Sequence, residues 1–568
     1  MNLWFMKDMA RLAAERDALL ALASRAPWLS VSAPRFDDDA RVCVSVEITV
    51  GERVFKALLR YPAAFPHSPP SVLPEEQALW SSHQYGAGGE LCLEYGPDNW
   101  TPDLTGAAMV ESAERLLRTE TPTDETPALI APSRHALTSG QELRSRSLRY
   151  LVARGLATYL DSLPHGATLT AELLWRSQDK QHTLVPVRLL SDDGVVWSDA
   201  SVPEAAWAGD VLHKCRVLVT PPGRNPPRAT TRETLAQAVA DLGYDLQMQY
   251  PEIKFLMLWS NLASRMIWFA KDDEAVDFAK VESEGGSRLP PYYQQLQGRA
   301  VGLVGCGSAG SKIATMLARS GVGRLVLVDD DVLLPENLIR NDLDWTGVGE
   351  HKVRGVARRA QLVSSTITVE MEMKRLAGQE ASGVADSVLH KLQNCDLIID
   401  ATADPDVFNL LAGIATTRPR PLVWLEIFAG GIGGLVARSR PGLDPSPQVA
   451  RARIAAWCDE RGVPAPRAER PYEAGSQTVP LVADDADVGV IAAHAARMAL
   501  DVLLEDVPSA FPASAYMIGL SDEWIFTEPF DNRRIDLGGP EPRPTPQEPS
   551  AEAKALLVQM LSAVDADA

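Results

Sequence analysis

The chain contains no two cysteines in a CxxC spacing. Its six cysteines, Cys43, Cys92, Cys215, Cys306, Cys395 and Cys458, are scattered over 568 residues. That excludes a zinc site built from CxxC pairs and fits a reducing compartment. Basic residues are in short supply: 55 Lys and Arg stand against 75 Asp and Glu, a net charge of −20. Such a balance argues against a broad nucleic-acid surface. No apolar run approaches the ~18 residues of a membrane span. The N-terminal stretch is an amphipathic helix interrupted by charges, with no small-residue cleavage site, so it does not read as a secretory signal. There is no internal repeat. The expectation is a cytoplasmic protein that engages neither nucleic acid nor membrane.

What is present is a globular composition, 46% hydrophobic and 23% charged. At roughly 100–200 residues per domain, the length predicts three or four domains. A helix is expected over 8–25. "RVCVSVEITVGERVFKALLRYP" alternates apolar and polar residues and turns at "VGER", a strand pair. "FPHSPPSVLPEE" has too many prolines for a central strand and reads as a rigid extended crossing. A helix follows at about 105–118, then a Pro/Thr-rich linker at 119–133. Residues 134–290 read as a middle α/β domain, with a helix near 143–163, five strands and a helix near 231–242. Over 291–540, strands and helices alternate in the order of a doubly wound parallel sheet. Residues 541–568 read as a Pro-rich tether and a terminal helix.

Gly305, Gly307 and Gly310 form G-x-G-x-x-G after an apolar strand and before a helix, the context a dinucleotide or nucleotide fold requires. Glycines let the backbone approach phosphate, and the helix N-terminus supplies amides. Asp329 ends the next strand, where a carboxylate grips ribose hydroxyls. The glycine pattern alone leaves open a nicotinamide- or flavin-dependent oxidoreductase.

"LVDDDVLLPENLIRND", followed by Lys352 in "GEHKVRG", resembles the signature of the E1-like (ThiF/MoeB) adenylating enzymes over roughly 295–505. That resemblance implies a Rossmann-like adenylation domain that uses ATP and Mg²⁺. It places Asp329 and Asp331 at the nucleotide, Asn337, Arg340 and Lys352 on its phosphates, and Asp404 at Mg²⁺, with Asp400 and Asp406 as alternatives. The chemistry suits these types: a carboxylate attacks the α-phosphorus as pyrophosphate leaves, and cations stabilise the spreading charge.

Residues 1–125 resemble the ubiquitin-conjugating (E2) family, an α+β fold. "RYPAAFPHSPPSV" matches its "YP-x-x-(F/Y)P-x-x-PP" crossing, "GELCLE" its catalytic-cysteine loop, and "NWTP" the element before the next helix. The resemblance makes Cys92 the thiol that accepts the acyl group. The family's His-Pro-Asn reads His83-Gln84-Tyr85 here and sits one residue nearer the cysteine. Whether His83, Tyr85 or a backbone amide serves the oxyanion stays open.

The order E2, middle domain, E1 resembles bacterial fusions of anti-phage operons. It implies a ubiquitin-like modifier, activated at its C-terminus and joined to a target protein, and a homodimer through the E1-like domain. Those E1 domains usually carry a second cysteine before their last long helix. Here the position is Ser476, in "YEAGSQTVPLVADDADVGVIAAHAARMALDVLL". It is an oxyester acceptor, a turn residue, or an introduced replacement of cysteine. Asp484, Asp485, Asp487 and His494 are candidate bases for it, and Cys458 is an alternative acceptor. A non-catalytic E2-like scaffold is the remaining rival.

Overall fold

The computed structural model describes residues 3–81, 83–121, 143, 146–244, 253–283, 288–378, 382–461, 483–505, 507–542 and 550–566. The chain divides into two compact units, Met1–Ser145 and Arg146–Ala568. Among the described residues no helix is long and apolar enough to cross a membrane.

In the first unit one helical turn (Trp4–Lys7) precedes helix α1 (Met9–Arg25) and an antiparallel sheet. Its strands are β1 (Leu29–Val31), β2 (Arg35–Phe36), β3 (Val42–Val50), β4 (Arg53–Arg60) and β5 (Ser71–Pro74), in the order β1-β3-β4-β5 with β2 beside β3. The β3–β4 hairpin turns where expected, at Gly51, whose φ of +58° suits glycine. The proline-rich crossing does contain a short strand, β5, but at the sheet edge, where proline costs no ladder bond. Helix α2 (Gly106–Glu120) returns over the sheet. Leu19 and Leu22 of α1 share one core with Val44, Leu59 and Val72 of the sheet and Val110 and Leu117 of α2.

The second unit holds two eight-stranded sheets. The first comprises β6 (Leu148–Ala153), β7 (Thr168–Gln178), β8 (Gln181–Ser191), β9 (Gly194–Ser198), β10 (His213–Val219), β11 (Phe255–Trp259), β12 (Ser264–Phe269) and β13 (Ala275–Ser283). Strand β6 pairs with both β13 and β8, so seven strands close on themselves and β9 hangs on β8. The expected helix over 143–163 is a correction. Leu148–Ala153 form β6 instead, and the helix α3 spans Arg154–Asp161, its Leu156 and Leu160 packing on Tyr150, Phe255 and Met266. Helix α4 (Arg232–Ala240) covers the other side of β10–β12. This segment is thus richer in strand than its α/β reading suggests.

The second sheet comprises β14 (Ala300–Val304), β15 (Arg324–Val328), β16 (Thr368–Glu372), β17 (Leu397–Asp400), β18 (Leu422–Ile427), β19 (Gly433–Ser439), β20 (Ala515–Gly519) and β21 (Asn532–Ile535). Its order is β16-β15-β14-β17-β18-β19-β20-β21. The first five are parallel, as expected; the last three are antiparallel additions. Every residue of β14 is buried, which is why it reads as a continuous apolar run. Helices α5 (Ser308–Arg319), α6 (Lys352–Val363) and α10 (Asp485–Leu503) cover one face. Helices α7 (Ser382–Gln393), α8 (Pro405–Thr417) and α9 (Pro447–Asp459) cover the other. A final helix, α11, spans Ala551–Ala566. The chain runs outward from β14 through β15 to β16, then returns to β17 on the opposite side of β14. That reversal opens a crevice at the carboxyl ends of β14, β15 and β17, the usual ligand position in such sheets.

Candidate nucleotide crevice and thiol loop

Two of the three motif glycines are demanded by the fold. Gly305 has φ +92°, and a Cβ there would meet the Ala401 backbone at 3.0 Å. A Cβ on Gly310 would lie 1.8 Å from the Gly305 carbonyl oxygen. Gly307 differs: its φ is −71°, and a Cβ would have nothing within 4 Å. Nothing among the described residues requires glycine there. Gly307 is the N-cap of α5 and offers no side chain to cap that helix. Open space therefore meets the positive end of a helix, a suitable seat for phosphate.

The neighbouring strand closes this turn. Asp329 Oδ2 accepts the Cys306 amide at 2.6 Å, and Oδ1 accepts that of Asp331 at 2.9 Å. Burial pushes the Asp329 carboxyl above the ordinary carboxylate range, against these amide bonds. Lys352, buried at the start of α6, places Nζ 2.7 Å from Asp331 Oδ2, and its amide donates to the Asp331 carbonyl. Asn337 sits in a 3₁₀ turn (Pro335–Ile339), where its Oδ1 accepts the Leu334 amide at 2.9 Å. Arg340 follows that turn directly.

Sequence reasoning missed the residues that hold Arg340 in place. Lys312 of α5 donates to the Arg340 carbonyl at 2.8 Å and to Asp485 Oδ1 at 2.6 Å. Asn341 Nδ2 donates to the Cys306 carbonyl at 3.3 Å, joining the Arg340 segment to the glycine turn. For Lys312 the sequence signal was polarity at a position that helical spacing makes inward-facing; Asn341, in a bend, gave none.

At the end of β17, Asp400 is buried, and its Oδ1 accepts from the Thr402 amide and hydroxyl at 3.0 and 2.6 Å. Burial chiefly, with Asp404 adding, pushes its carboxyl upward. Asp404 is exposed and caps α8, its Oδ1 accepting the amides of Asp406 and Val407. Among the described residues no group of three or more His, Cys, Asp or Glu is placed to hold a metal. Asp404 is the kind of exposed single carboxylate that Mg²⁺ commonly takes, the rest of its shell coming from phosphates and water.

Two of the three acids proposed as bases for Ser476 have other employment. Asp484 caps α10, and Asp485 pairs with Lys312. Ser476 itself lies outside the described residues. Cys458 is buried on α9 within the core, and burial raises its thiol.

In the first unit, Cys92 occupies a half-buried loop. Its amide donates to the His83 carbonyl at 2.7 Å, and Leu91 pairs with Gln84 across an isolated bridge. Gln84 braces the loop: its Oε1 accepts the Trp80 amide, and its Nε2 donates to the Ala78 and Gly89 carbonyls. Burial raises the Cys92 thiol; a hydrogen bond from Tyr85 opposes this, and Glu90 and Asp98 add to the rise. The His83 amide donates to Ser81 Oγ at 2.9 Å. Beyond the loop, Trp100 Nε1 donates to the Pro66 carbonyl at 2.8 Å, tying the tryptophan to the proline crossing. Buried Glu15 of α1 is the long-range brace. Its Oε2 accepts from the Tyr61 hydroxyl at 2.9 Å and from the Gly106 amide at 2.7 Å. No local pattern announced it.

Residues 274–512 match the ThiF family. Among curated proteins, the chain is similar to the uncharacterized protein y4oA of Sinorhizobium fredii, 29% identical over 184 residues and covering 29% of each chain. It is also similar to the ATP-dependent ubiquitin transferase-like protein Cap2 of Pseudomonas aeruginosa, 33% identical over 146 residues and covering 24% of each. The match therefore spans less than a third of either relative's length. Among solved structures, MccB of E. coli with ATP is similar at 18% identity and a TM-score of 0.34, covering 44% of this chain and 67% of that chain. That likeness is too slight to reason from.

Proposed function

We propose that the chain adenylates the C-terminal carboxylate of a ubiquitin-like modifier and passes the modifier through Cys92 to a target protein. The observation that carries the reading is the open space at Gly307, on a helix N-terminus beside a turn that Asp329 braces, inside a segment matching the ThiF family. In this reading residues 1–125 are an E2-like conjugating domain, 134–290 a middle domain, 291–540 the E1-like adenylation domain and 541–568 a tether. The similarity to Cap2, a ubiquitin transferase-like protein by name, supports the transfer step. The domain order supports a place in bacterial anti-phage defence.

The steps follow from the chemistry. A modifier carboxylate oxygen attacks the α-phosphorus of ATP, and the bond to pyrophosphate breaks. The glycine turn seats the phosphates, Asp329 takes the ribose, with Asp331 flanking it, and Asn337, Arg340 and Lys352 meet the phosphate charge. Mg²⁺, held by Asp404, would neutralise part of that charge. The Cys92 thiolate then attacks the acyl carbon and AMP leaves, forming a thioester; Ser476 is the candidate for an earlier oxyester stop. A target amine displaces the thiolate, with His83 or Tyr85 beside the oxyanion. Fusing both activities in one chain raises the effective concentration of the thiol toward the mM range when the linker spans the sites. We also infer a homodimer through the adenylation domains; light scattering at micromolar concentration should give twice the chain mass.

The test is ATP–pyrophosphate exchange with the small proteins encoded beside the gene. Exchange should appear with one of them and fall about 10²–10³-fold in Arg340→Ala. Undiminished exchange in that variant contradicts the assignment.

A further inference from the structure

We propose that Lys312 is a positioning residue that couples the first turn of α10 to the backbone of Arg340, so that nucleotide affinity depends on the Lys312–Asp485 contact. The inference rests on the nucleotide reading of the crevice.

Lysine is seldom buried unless its charge is paired. Lys312 is only 8% exposed and stands in the helix that begins at the glycine turn. One N–H goes to the Arg340 carbonyl at 2.8 Å and another to Asp485 Oδ1 at 2.6 Å. Its neighbours grip the same segment. Ser311 Oγ accepts the Asp342 amide at 3.1 Å, and Thr315 Oγ1 donates to Asp342 Oδ2 at 2.7 Å. These contacts fasten residues 340–342 to α5. The lysine alone of the three carries the connection onward to α10.

The start of α10 is well seated. Val488, Ile491 and Ala492 are buried in the core. On its other side Asp487 meets the β18–β19 turn so closely that a Cβ on Gly431 would lie 2.1 Å from Asp487 Oδ2. A shift of this first turn therefore moves Asp485, and with it the lysine that holds Arg340. The side chain of Asp485 is 59% exposed. Lys312, however, is buried, so Asp485→Ala leaves its charge short of a partner and should lower Tm. ATP affinity compared with and without Arg340 is therefore the discriminating readout.

The experiment is calorimetric titration of the full chain with Mg-ATP alone, which needs no modifier. Asp485→Ala and Lys312→Met should each weaken binding by about 5- to 100-fold, the span of ordinary coupling energies. Asp485→Glu should restore most of it. In an Arg340→Ala background neither change should weaken ATP further, whereas any Tm loss from Lys312→Met should persist. If Lys312→Met does not fold, Asp485→Ala carries the same comparison. Wild-type affinity in Asp485→Ala, or equal losses with and without Arg340, overturns the coupling. Failure of the wild type to bind ATP overturns the nucleotide reading itself, and the coupling with it.

Discussion

Asp329 reaches from the end of β15 to the turn after β14, and its Oδ2 accepts the Cys306 amide at 2.6 Å. The carboxylate proposed to grip ribose is thus also a strut of the glycine turn. Asp329→Asn should weaken ATP binding with a small change in Tm, because the amide oxygen still accepts one bond. Asp329→Ala should additionally lose about 1–3 kcal/mol of stability by leaving a buried amide unpaired. Titration with Mg-ATP and thermal melts separate the two; equal melting of both variants contradicts the strut.

Two glycines of the motif beside this strut should respond in opposite ways. Gly310→Ala drives a methyl to 1.8 Å from the Gly305 carbonyl and should destabilise the protein by about 3 kcal/mol or more. Gly307→Ala meets nothing within 4 Å and should melt like the wild type. Its methyl fills the space proposed for phosphate, so ATP affinity should drop at least ~10-fold. Normal ATP binding by Gly307→Ala would remove the main support for the phosphate seat.

Asp400 gives a pH signature. Burial holds its carboxyl above the ordinary range. A raised carboxyl contributes its stability while protonated, below the unfolded value near 3.9, and loses it as pH climbs through the folded value. An asparagine at this position would keep the acceptor for Thr402 without the charge. The Tm difference between Asp400→Asn and wild type should therefore rise in the variant's favour as pH increases from about 4, then level off. A difference that falls with pH would show the carboxylate to be stabilising.

The Cys92 thiol is raised by burial and lowered by its hydrogen bond from Tyr85. Alkylation by iodoacetamide should accelerate with rising pH over a range displaced above that of an exposed cysteine, since thiolate is the reactive form. Tyr85→Phe should shift that profile to higher pH and slow alkylation several-fold near neutral pH. The other five cysteines are buried, so the modified peptide should be that of Cys92. An unchanged profile in Tyr85→Phe means the hydroxyl has no hold on the thiol.

The parts legible in the sequence were those whose determinants lie close together along the chain. Gly305 to Gly310, Asp329, Asn337, Arg340 and Lys352 lie along one continuous stretch from the end of β14 to the start of α6, and β14 announced itself as an unbroken apolar run. Lys312, Asn341 and Glu15 were not legible, because their partners lie on other elements; Glu15 meets Gly106 91 residues away. Strand β6 was read as helix for a local reason. "LRYLVARGLATYL" carries Gly155 at the junction of strand and helix, but Leu148, Leu151, Val152, Leu156 and Leu160 keep a helical spacing across it. The antiparallel extension from β19 to β21 escaped because glycines and loops interrupt it. Asp404 was identified by its place after β17, yet its visible role is to cap α8, a function any exposed aspartate at that point performs.

One measurement tests most directly whether adenylation feeds Cys92 within this chain. The full protein is incubated with Mg-ATP and the small protein that supports pyrophosphate exchange, then denatured without reductant and weighed intact. A one-to-one adduct should form, disappear on addition of dithiothreitol, and be missing from both Arg340→Ala and Cys92→Ala. A reductant-sensitive adduct that persists in Cys92→Ala, or conjugation of the small protein to a target by that variant, would contradict the account.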